Sequence, residues 1–524
     1  MEQRDKVWIL GGAAILAAIL VTRIVMIWIP NAEIFIASLP DDAWYYTSIA
    51  RHIAAGAGST FDGIHPTNGY HPLWMIVLST LRMVTGDVDV LLFARLVATL
   101  QLLLGACAAT MHALLGWRVL RSAAATAALL ALHATPFVIY GMTDGMESGL
   151  LQLALAGIFW GAIAFKPFTG ELTPRVFAFG AIVSLAVLAR LDVGLLAVAL
   201  TCVALPTQSG ARRAMVIAFP CAIMVPLYLF MNAMHFDSLL PISARLKSTF
   251  PDFHFNGTAL RTHIIPICAG LMTIAMTAVN SRRVTDRDLR LVMRGGAIFL
   301  ALHLIHTIFF THWGIQRWHF TAYWPLLLWQ LILTPRIIAR AGYVLPAIAL
   351  LSIASQASFF WKRTERAFQV QSYRAALWAR ENIPAGRLIG MSDCGTFGAF
   401  YGDGVINLDG VVNNAAYQTA LKEKGIRGYA DDIGISYIAH HAVIEADLGA
   451  KKTDGVLPPY EYAAHSHLGD EQHTSTLALR PLDEIYRAEP YNDGTGKPKV
   501  FVIWKRRREL SPHDFTGGQK PYMP

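Results

Sequence analysis

Two adjacent carboxylates, Asp41 and Asp42, follow a long hydrophobic run and open a helix-patterned stretch carrying Trp44, Tyr45, Tyr46, Ile49 and Ile53. A carboxylate pair can divide labour. A neighbouring negative charge raises a carboxyl's pKa and a helix N-terminus lowers it. One member can then act as an ionised general base while the other is a structural partner. Asp41, after Pro40, also stands where Asp commonly serves as a helix N-cap. A Gly-rich turn (Gly56, Gly58, Gly63) follows, and His65 and His71 then bracket Pro66-Thr67-Asn68-Gly69-Tyr70. These histidines can hydrogen-bond backbone, line a pocket, or hold a metal with Asp41 or Asp42. Tyr45, Tyr46, Tyr70 and Trp74 can stack on rings of a ligand, but anchoring in the headgroup region is the expectation for most of them. Loops between membrane helices are usually short, so the whole stretch from Asp41 to Trp74 reads as the catalytic loop of a membrane enzyme.

The elements that must position these groups are membrane helices. Of the 524 residues 54% are hydrophobic and 15% charged, against about 25% charged in an ordinary soluble protein. The net charge of +8 comes from short basic clusters between apolar runs, the mark of membrane topology, which argues against a nucleic-acid partner. The run from Val7 to Ile29 is apolar apart from Arg23 and is expected to be a retained anchor. Further spans are expected near 89–117, 122–141, 148–165, 213–233, 262–280, 291–311, 319–334 and 343–361. The piece from Pro72 to Val84 falls short of the roughly 20 residues a span needs and is expected to lie along the interface. The apolar stretch 176–206 is interrupted by Arg190-Leu191-Asp192. A charge at mid-membrane costs about 3 kcal/mol on insertion scales. Two short helices meeting at a polar turn, with Arg190 pairing Asp192, fit better.

With the N-terminus inside, the inside loops hold Arg118/Arg121, Lys166/Arg175, Arg212/Arg213, Arg282/Arg283/Arg287/Arg290 and Arg336/Arg340, each cluster net basic. About eleven spans then put the C-terminal part outside. From about Lys362 the composition becomes that of a soluble domain. A helix Ala367–Arg380, strands at Arg387–Met391 and Val405–Leu408, a helix Asn414–Lys424, a strand Ser436–His440 and closing strands near 475–480 and 499–504 make a small α/β domain. Glu445–His473 reads as loop, and the last fifteen or so residues as frayed. The expected division is a membrane part, 1–361, with a first outward loop 30–88, and a soluble part, 362–524.

Other motifs carry little chemistry. Cys107, Cys202, Cys221 and Cys268 lie in hydrophobic spans and Cys394 stands alone, so apolar fillers are expected rather than a disulfide framework. No CxxC, HExxH or GxGxxG is present, and Gly398 and Gly402 do not have dinucleotide spacing. Asp87-Val88-Asp89 precedes a span and reads as a helix cap. The expectation is therefore no cofactor, with a divalent metal as the lesser possibility. Glu147, in the turn Thr143–Glu147, suits a helix N-terminus or an acceptor contact.

A carboxylate pair opening the first outward loop, an aromatic helix and His71-Pro72-Leu73-Trp74 together resemble the GT-C glycosyltransferases. The nearest branch includes aminoarabinose transferases, protein O-mannosyltransferases and arabinofuranosyltransferases. Gly145-Met146-Glu147-Ser148, Ala189-Arg190-Leu191-Asp192, Leu240-Pro241-Ile242-Ser243 with Lys247, and Asn407-Leu408-Asp409-Gly410 add to the likeness. The resemblance implies an α-helical polytopic membrane protein of the plasma membrane with a C-terminal soluble α/β domain. It implies a sugar donor carried on a polyprenyl phosphate, an acceptor hydroxyl on a glycan, lipid or protein, and inversion at the anomeric carbon. Asp41 matches the catalytic aspartate, with Asp42 beside it. A leaving phosphate needs cations, for which Arg245, Lys247 and Arg317 are candidates. His65, His71, Tyr70, Glu147 and Arg190 complete the expected substrate-binding set. A transporter would place polar groups in several broken helices, often in related halves, and a scaffold presenting the C-terminal domain would make the Asp pair dispensable.

Overall fold

Apolar residues recur on every face of the helices in the first part of the chain, which suits helices packed on one another and on lipid. The structure is a computed structural model and describes residues 3–312, 314–334, 347, 348, 350–355, 367–443, 460–466, 473–492 and 497–506. Arg336, Arg340, the flanks of the 343–361 span, Glu445–Pro459 and the last residues lie outside the described set. Asp5–Ile27, Val90–Leu120, Ser148–Phe165, Gly210–Phe236 and Arg287–Phe309 are each long and apolar enough to cross a membrane. Shorter apolar helices run from Pro72 to Thr85, Ala123 to His133, Pro174 to Ala189, Leu191 to Ala204 and Ile264 to Asn280. Small residues let these backbones approach closely: a side chain at Gly12 or Gly180 would overlap the backbone of Ala127 or Ile217. The 176–206 stretch breaks as its charges require. One helix ends at Ala189, a single 3₁₀ turn spans Leu191–Val193, and the next helix begins at Gly194.

The helices alternate between two ends. At one end the basic loops tie to each other: Lys166 pairs with Asp286, and Asp288 accepts hydrogen bonds from the N–H groups of Phe168 (2.7 Å) and Thr169 (3.2 Å). At the other end lie the helices Ala32–Ser38, Asp41–Ala54 and Pro72–Thr85, the 141–148 turn, the 190–193 turn and the segments 237–263 and 310–322.

The C-terminal part contains strands β1 (Leu388–Met391), β2 (Val405–Asn407), β3 (Ile435–Val443), β4 (Tyr460–Ser466), β5 (His473–Leu479), β6 (Glu484–Arg487) and β7 (Lys499–Lys505). Five form a sheet in the order β2-β1-β3-β7-β6, with β1 parallel to both β2 and β3. The strands β4 and β5 pair separately as an antiparallel ladder. Residues 460–466 are therefore strand, where the sequence reads as loop. The strand pairs with β5 alone and buries only Tyr462 and Ala464 among its described side chains, too short an alternation to stand out. The helix that begins at Ala415 breaks after Lys424, where the sequence predicts its end: Gly425 takes φ 68° and ψ 176°, and a second helical run follows to Ile433. The C-terminal part rests on the first loop. Arg374 pairs with both Glu33 oxygens (2.7 and 2.8 Å), Trp44 meets Phe400, and Asp403 pairs with Arg51 (2.6 Å) and His52 (2.9 Å). The first loop and the sheet thus share one end of the molecule.

Candidate active site between the first loop and the sheet

Asp41 does not cap its own helix; Pro40 occupies that position. Its carboxylate caps another helix instead. Oδ2 accepts the Gly395 N–H at 2.7 Å, and Oδ1 accepts the Thr396 N–H at 2.8 Å and the Thr396 hydroxyl at 2.7 Å. These donors open the helix Gly395–Tyr401, which leaves the end of β1. A side chain at Gly395 would overlap the Asp41 carbonyl oxygen. Burial pushes the Asp41 carboxyl up to about 7, against the pull of these hydrogen bonds, and Asp42 adds to the rise. Tyr45, one turn on, accepts the Cys394 N–H at 2.9 Å and the Asn407 side-chain amide at 3.2 Å.

Asp42 is held differently. No described residue donates a hydrogen bond to its carboxylate; it faces Lys247, Asp409 and Glu147. Burial pushes its pKa up, Lys247 opposes that, and Asp409 and Glu147 reinforce it. Asp409 is fixed by the N–H groups of Asp393 (2.8 Å) and Val411 (2.9 Å), at the ends of the parallel neighbours β1 and β2. Burial raises the Asp393 carboxyl, with Asp409, Asp41 and Asp42 adding to the rise and Lys499 opposing it. Burial raises the Asp409 carboxyl against the Val411, Asp393 and Asn407 hydrogen bonds and the charge of Lys247. Lys247 forms no ion pair closer than 4 Å with a described residue. Its helix, Ile242–Lys247, is seated by Asn68, whose Oδ1 accepts the Ile242 N–H at 2.9 Å.

A second, deeper cluster centres on Glu147, which is fully buried. One oxygen takes a charge-assisted hydrogen bond from Arg190 and lies 3.6 Å from His71 Nε2; the other accepts from the Tyr46 hydroxyl at 3.3 Å. Arg190 Nε also meets Asp192 at 3.0 Å, as the sequence spacing predicts, and Asp192 lies 3.3 Å from His303, which contacts the Tyr323 hydroxyl at 2.8 Å. Burial holds the His71 imidazole below its usual pKa, with Glu147 opposing and Arg190 adding to the drop.

The structure thus brings together Asp41, Asp42, His71, Glu147, Arg190 and Lys247. It sets the others apart. His65 Nδ1 bonds to Asp62 at 2.7 Å, and the Tyr70 hydroxyl to Ser59 at 2.8 Å, both within the loop. Arg245 donates to the Ser238 hydroxyl at 3.2 Å, and Arg317 lies over the Tyr140 ring, 5.5 Å from its centroid. Tyr45, Tyr46 and Trp74 are buried and hydrogen-bonded inside the molecule rather than anchored among headgroups, because the sheet and the Thr143–Glu147 turn cover them. His319 and Asp393 join the site without having been singled out. Burial, with Arg190 and Lys247 nearby, depresses the His319 pKa well below the usual imidazole range. The only sequence signals for them are their neighbours Arg317 and Cys394. Among the described residues no three His, Cys, Asp or Glu side chains are placed to hold a metal ion together.

Residues 362–484 match a family defined as a domain of unknown function, DUF8728. No curated protein matches the chain in sequence. Among solved structures, the archaeal oligosaccharyltransferase AglB from Archaeoglobus fulgidus, in complex with an inhibitory peptide and a dolichol-phosphate, is similar over 85% of this chain and 70% of its own. The identity is 14% and the TM-score 0.51. ArnT from Cupriavidus metallidurans in the apo state is similar over 96% of this chain and 98% of its own, at 13% identity and a TM-score of 0.50. ArnT bound to undecaprenyl phosphate matches over 88% and 97%, at 13% identity and 0.48. The chain shares its fold with AglB and with ArnT.

Proposed function

We propose that the protein is a membrane glycosyltransferase that moves a sugar from a polyprenyl-phosphate carrier to an acceptor hydroxyl. The observation that carries this reading is that Asp42, which accepts no hydrogen bond from a described residue, and Lys247, which has no carboxylate within 4 Å among the described residues, face each other at the meeting point of the first loop and the sheet. A general base needs a lone pair open to the acceptor, and a leaving phosphate needs uncompensated positive charge. Asp41, with both oxygens occupied, suits a positioning role, so the base is assigned to Asp42. In the step, Asp42 takes the acceptor hydroxyl proton as the oxygen attacks the anomeric carbon. The bond from that carbon to the phosphate oxygen breaks, and the electron pair leaves with polyprenyl phosphate, which Lys247 stabilises. One displacement inverts the centre. The Glu147–Arg190 cluster orients His71 and the 190–193 turn beneath. The fold it shares with AglB, seen with a dolichol-phosphate, supports a lipid-borne donor. The test is turnover by the purified protein of a polyprenyl-phosphate monosaccharide, with release of polyprenyl phosphate, in excess chelator. Turnover of a nucleotide sugar with no lipid carrier present overthrows the reading.

A further inference from the structure

Gln101 lies within the membrane helix Val90–Leu120 and is fully buried. A polar side chain in such a helix is retained where it hydrogen-bonds across to another element. Its Oε1 accepts the Gly145 N–H at 2.7 Å, and its Nε2 donates to the Gly141 carbonyl at 3.0 Å and to the Asp144 carboxylate. Asp144, also fully buried, accepts the Met146 N–H at 2.9 Å and the Ser148 hydroxyl at 2.8 Å. Ser148 in turn accepts from the Thr321 hydroxyl at 3.2 Å, two residues beyond His319. The 141–148 turn is cut off from water, so its backbone groups need partners within the protein. Gln101 and Asp144 supply three of them, at the Gly141 carbonyl and the Gly145 and Met146 N–H groups. A side chain at Gly149 would run into Gln101, so the helix Ser148–Phe165 approaches Val90–Leu120 closely here.

Glu147 belongs to this turn, and its position decides where Arg190, His71 and Tyr46 stand. We propose that Gln101 and Asp144 form a positioning unit for the transfer step, fixing the turn that presents Glu147 and locking it to the segment that carries His319. The proposal rests on the glycosyl-transfer reading above. Neither residue meets the reacting atoms. The charged and titratable groups on the surrounding elements are Glu147 on the turn itself, Arg190 beneath it, Tyr46 on the first-loop helix, and Arg317 and His319 on the outer segment. Burial pushes the Asp144 carboxyl up to about 6, opposed by the Gln101 and Ser148 hydrogen bonds, with Glu147 adding to the rise. Loss of the Gln101 donor therefore carries it further up.

The experiment measures turnover of a polyprenyl-phosphate monosaccharide by the full-length protein from pH 5.5 to 9, together with thermal melting, for Gln101→Leu, Gln101→Glu and the double variant Gln101→Glu/Asp144→Asn. Gln101→Leu is expected to lower kcat about 10²-fold, as a misplacement of about 1 Å does, and to move the acid limb of the profile upward. The acceptor KM should stay as it is. Gln101→Glu sets two carboxylates against each other and is expected to lose activity as pH rises. The double variant restores an amide–carboxylate pair with the partners exchanged and should recover at least about tenfold over Gln101→Glu. If Gln101→Leu does not fold, Ser148→Ala removes one donor to Asp144 together with the link to Thr321, leaves Gln101 in place, and should still lower kcat about tenfold. A folded variant with wild-type kcat and an unmoved acid limb overturns the positioning unit. So does a double variant that folds but is no better than Gln101→Glu. Inactivity of the wild type with every polyprenyl-phosphate donor overturns the glycosyl-transfer reading instead, and this proposal with it.

Discussion

The carboxylate of Asp41 accepts hydrogen bonds from both the backbone N–H and the hydroxyl of Thr396, a residue 355 positions further along the chain. The first loop thereby terminates a helix of the C-terminal sheet, and the aspartate beside it is left open. Two neighbouring residues of the same type acquire different partners from the directions in which the first turn of their helix points them.

Asp42→Asn is expected to lower kcat by about 10²–10⁴-fold, the span a general base contributes, with no loss in melting temperature. Asp41→Asn keeps one acceptor oxygen but turns an amide toward the donors of Gly395 and Thr396. It should cost about 1–2 kcal/mol of stability, as loss of a cap does, with a smaller effect on kcat. Steady-state kinetics and melting of both variants check the division. The reverse ranking in kcat would return the base to Asp41.

Stability should fall as pH rises from about 4 to about 7. Asp41 has a folded pKa of about 7, raised above the ordinary value of 3.8, so folding favours its protonated form. Its contribution is fully present below the unfolded value and is lost as pH climbs through the folded one. Asp42 and Asp409 shift in the same direction. Melting in detergent should show a lower midpoint at pH 8 than at pH 5.5, and Asp409→Asn should flatten the slope.

Lys247→Ala should weaken donor use by about 10²-fold in kcat/KM and leave the acceptor KM unchanged. Arg245→Ala and Arg317→Ala should do much less, since one cation is engaged by Ser238 and the other lies on Tyr140. Competition by free polyprenyl phosphate is the direct readout.

Glu147→Ala leaves Arg190 buried with Asp192 as its remaining carboxylate, and removal of one partner from a buried pair costs about 3–5 kcal/mol. The melting midpoint should drop accordingly. Arg190→Lys should also lose activity, because an ammonium cannot span Glu147 and Asp192 as the guanidinium does.

The orientation expected from the basic clusters puts the first loop and the sheet outside. In a background without the native cysteines, Glu381→Cys should react with an impermeant maleimide added to intact cells, and Arg212→Cys only after lysis. Labelling of both from one side would contradict it.

The membrane helices were legible because hydropathy and basic clusters are properties of contiguous sequence. So was the broken helix at Arg190: charges that cannot rest in lipid must end a span. The strands β1, β2, β3, β5 and β7 were legible in the sequence; β4 and the four-residue edge strand β6, whose inward side chains are few, were not. The roles of the two aspartates were not legible. Asp41 and Asp42 are alike in sequence, and only Gly395 and Thr396, remote along the chain, tell them apart. His319 and Gln101 were invisible for the same reason, since a lone polar residue acquires a role from what the fold sets against it.

The bond from Asp41 to Gly395 spans 354 positions. At about 5–20 residues per second of synthesis, the first loop waits roughly 20–70 s for the helix it must cap. Through that interval a carboxylate pair and a face bearing Trp44 and Tyr45 stand uncovered at the membrane surface. The nascent protein therefore passes through a long-lived stage in which the cluster around Asp41 and Asp42 is assembled on one side only. A chain released before the sheet is made would expose that half-built surface to whatever binds it first.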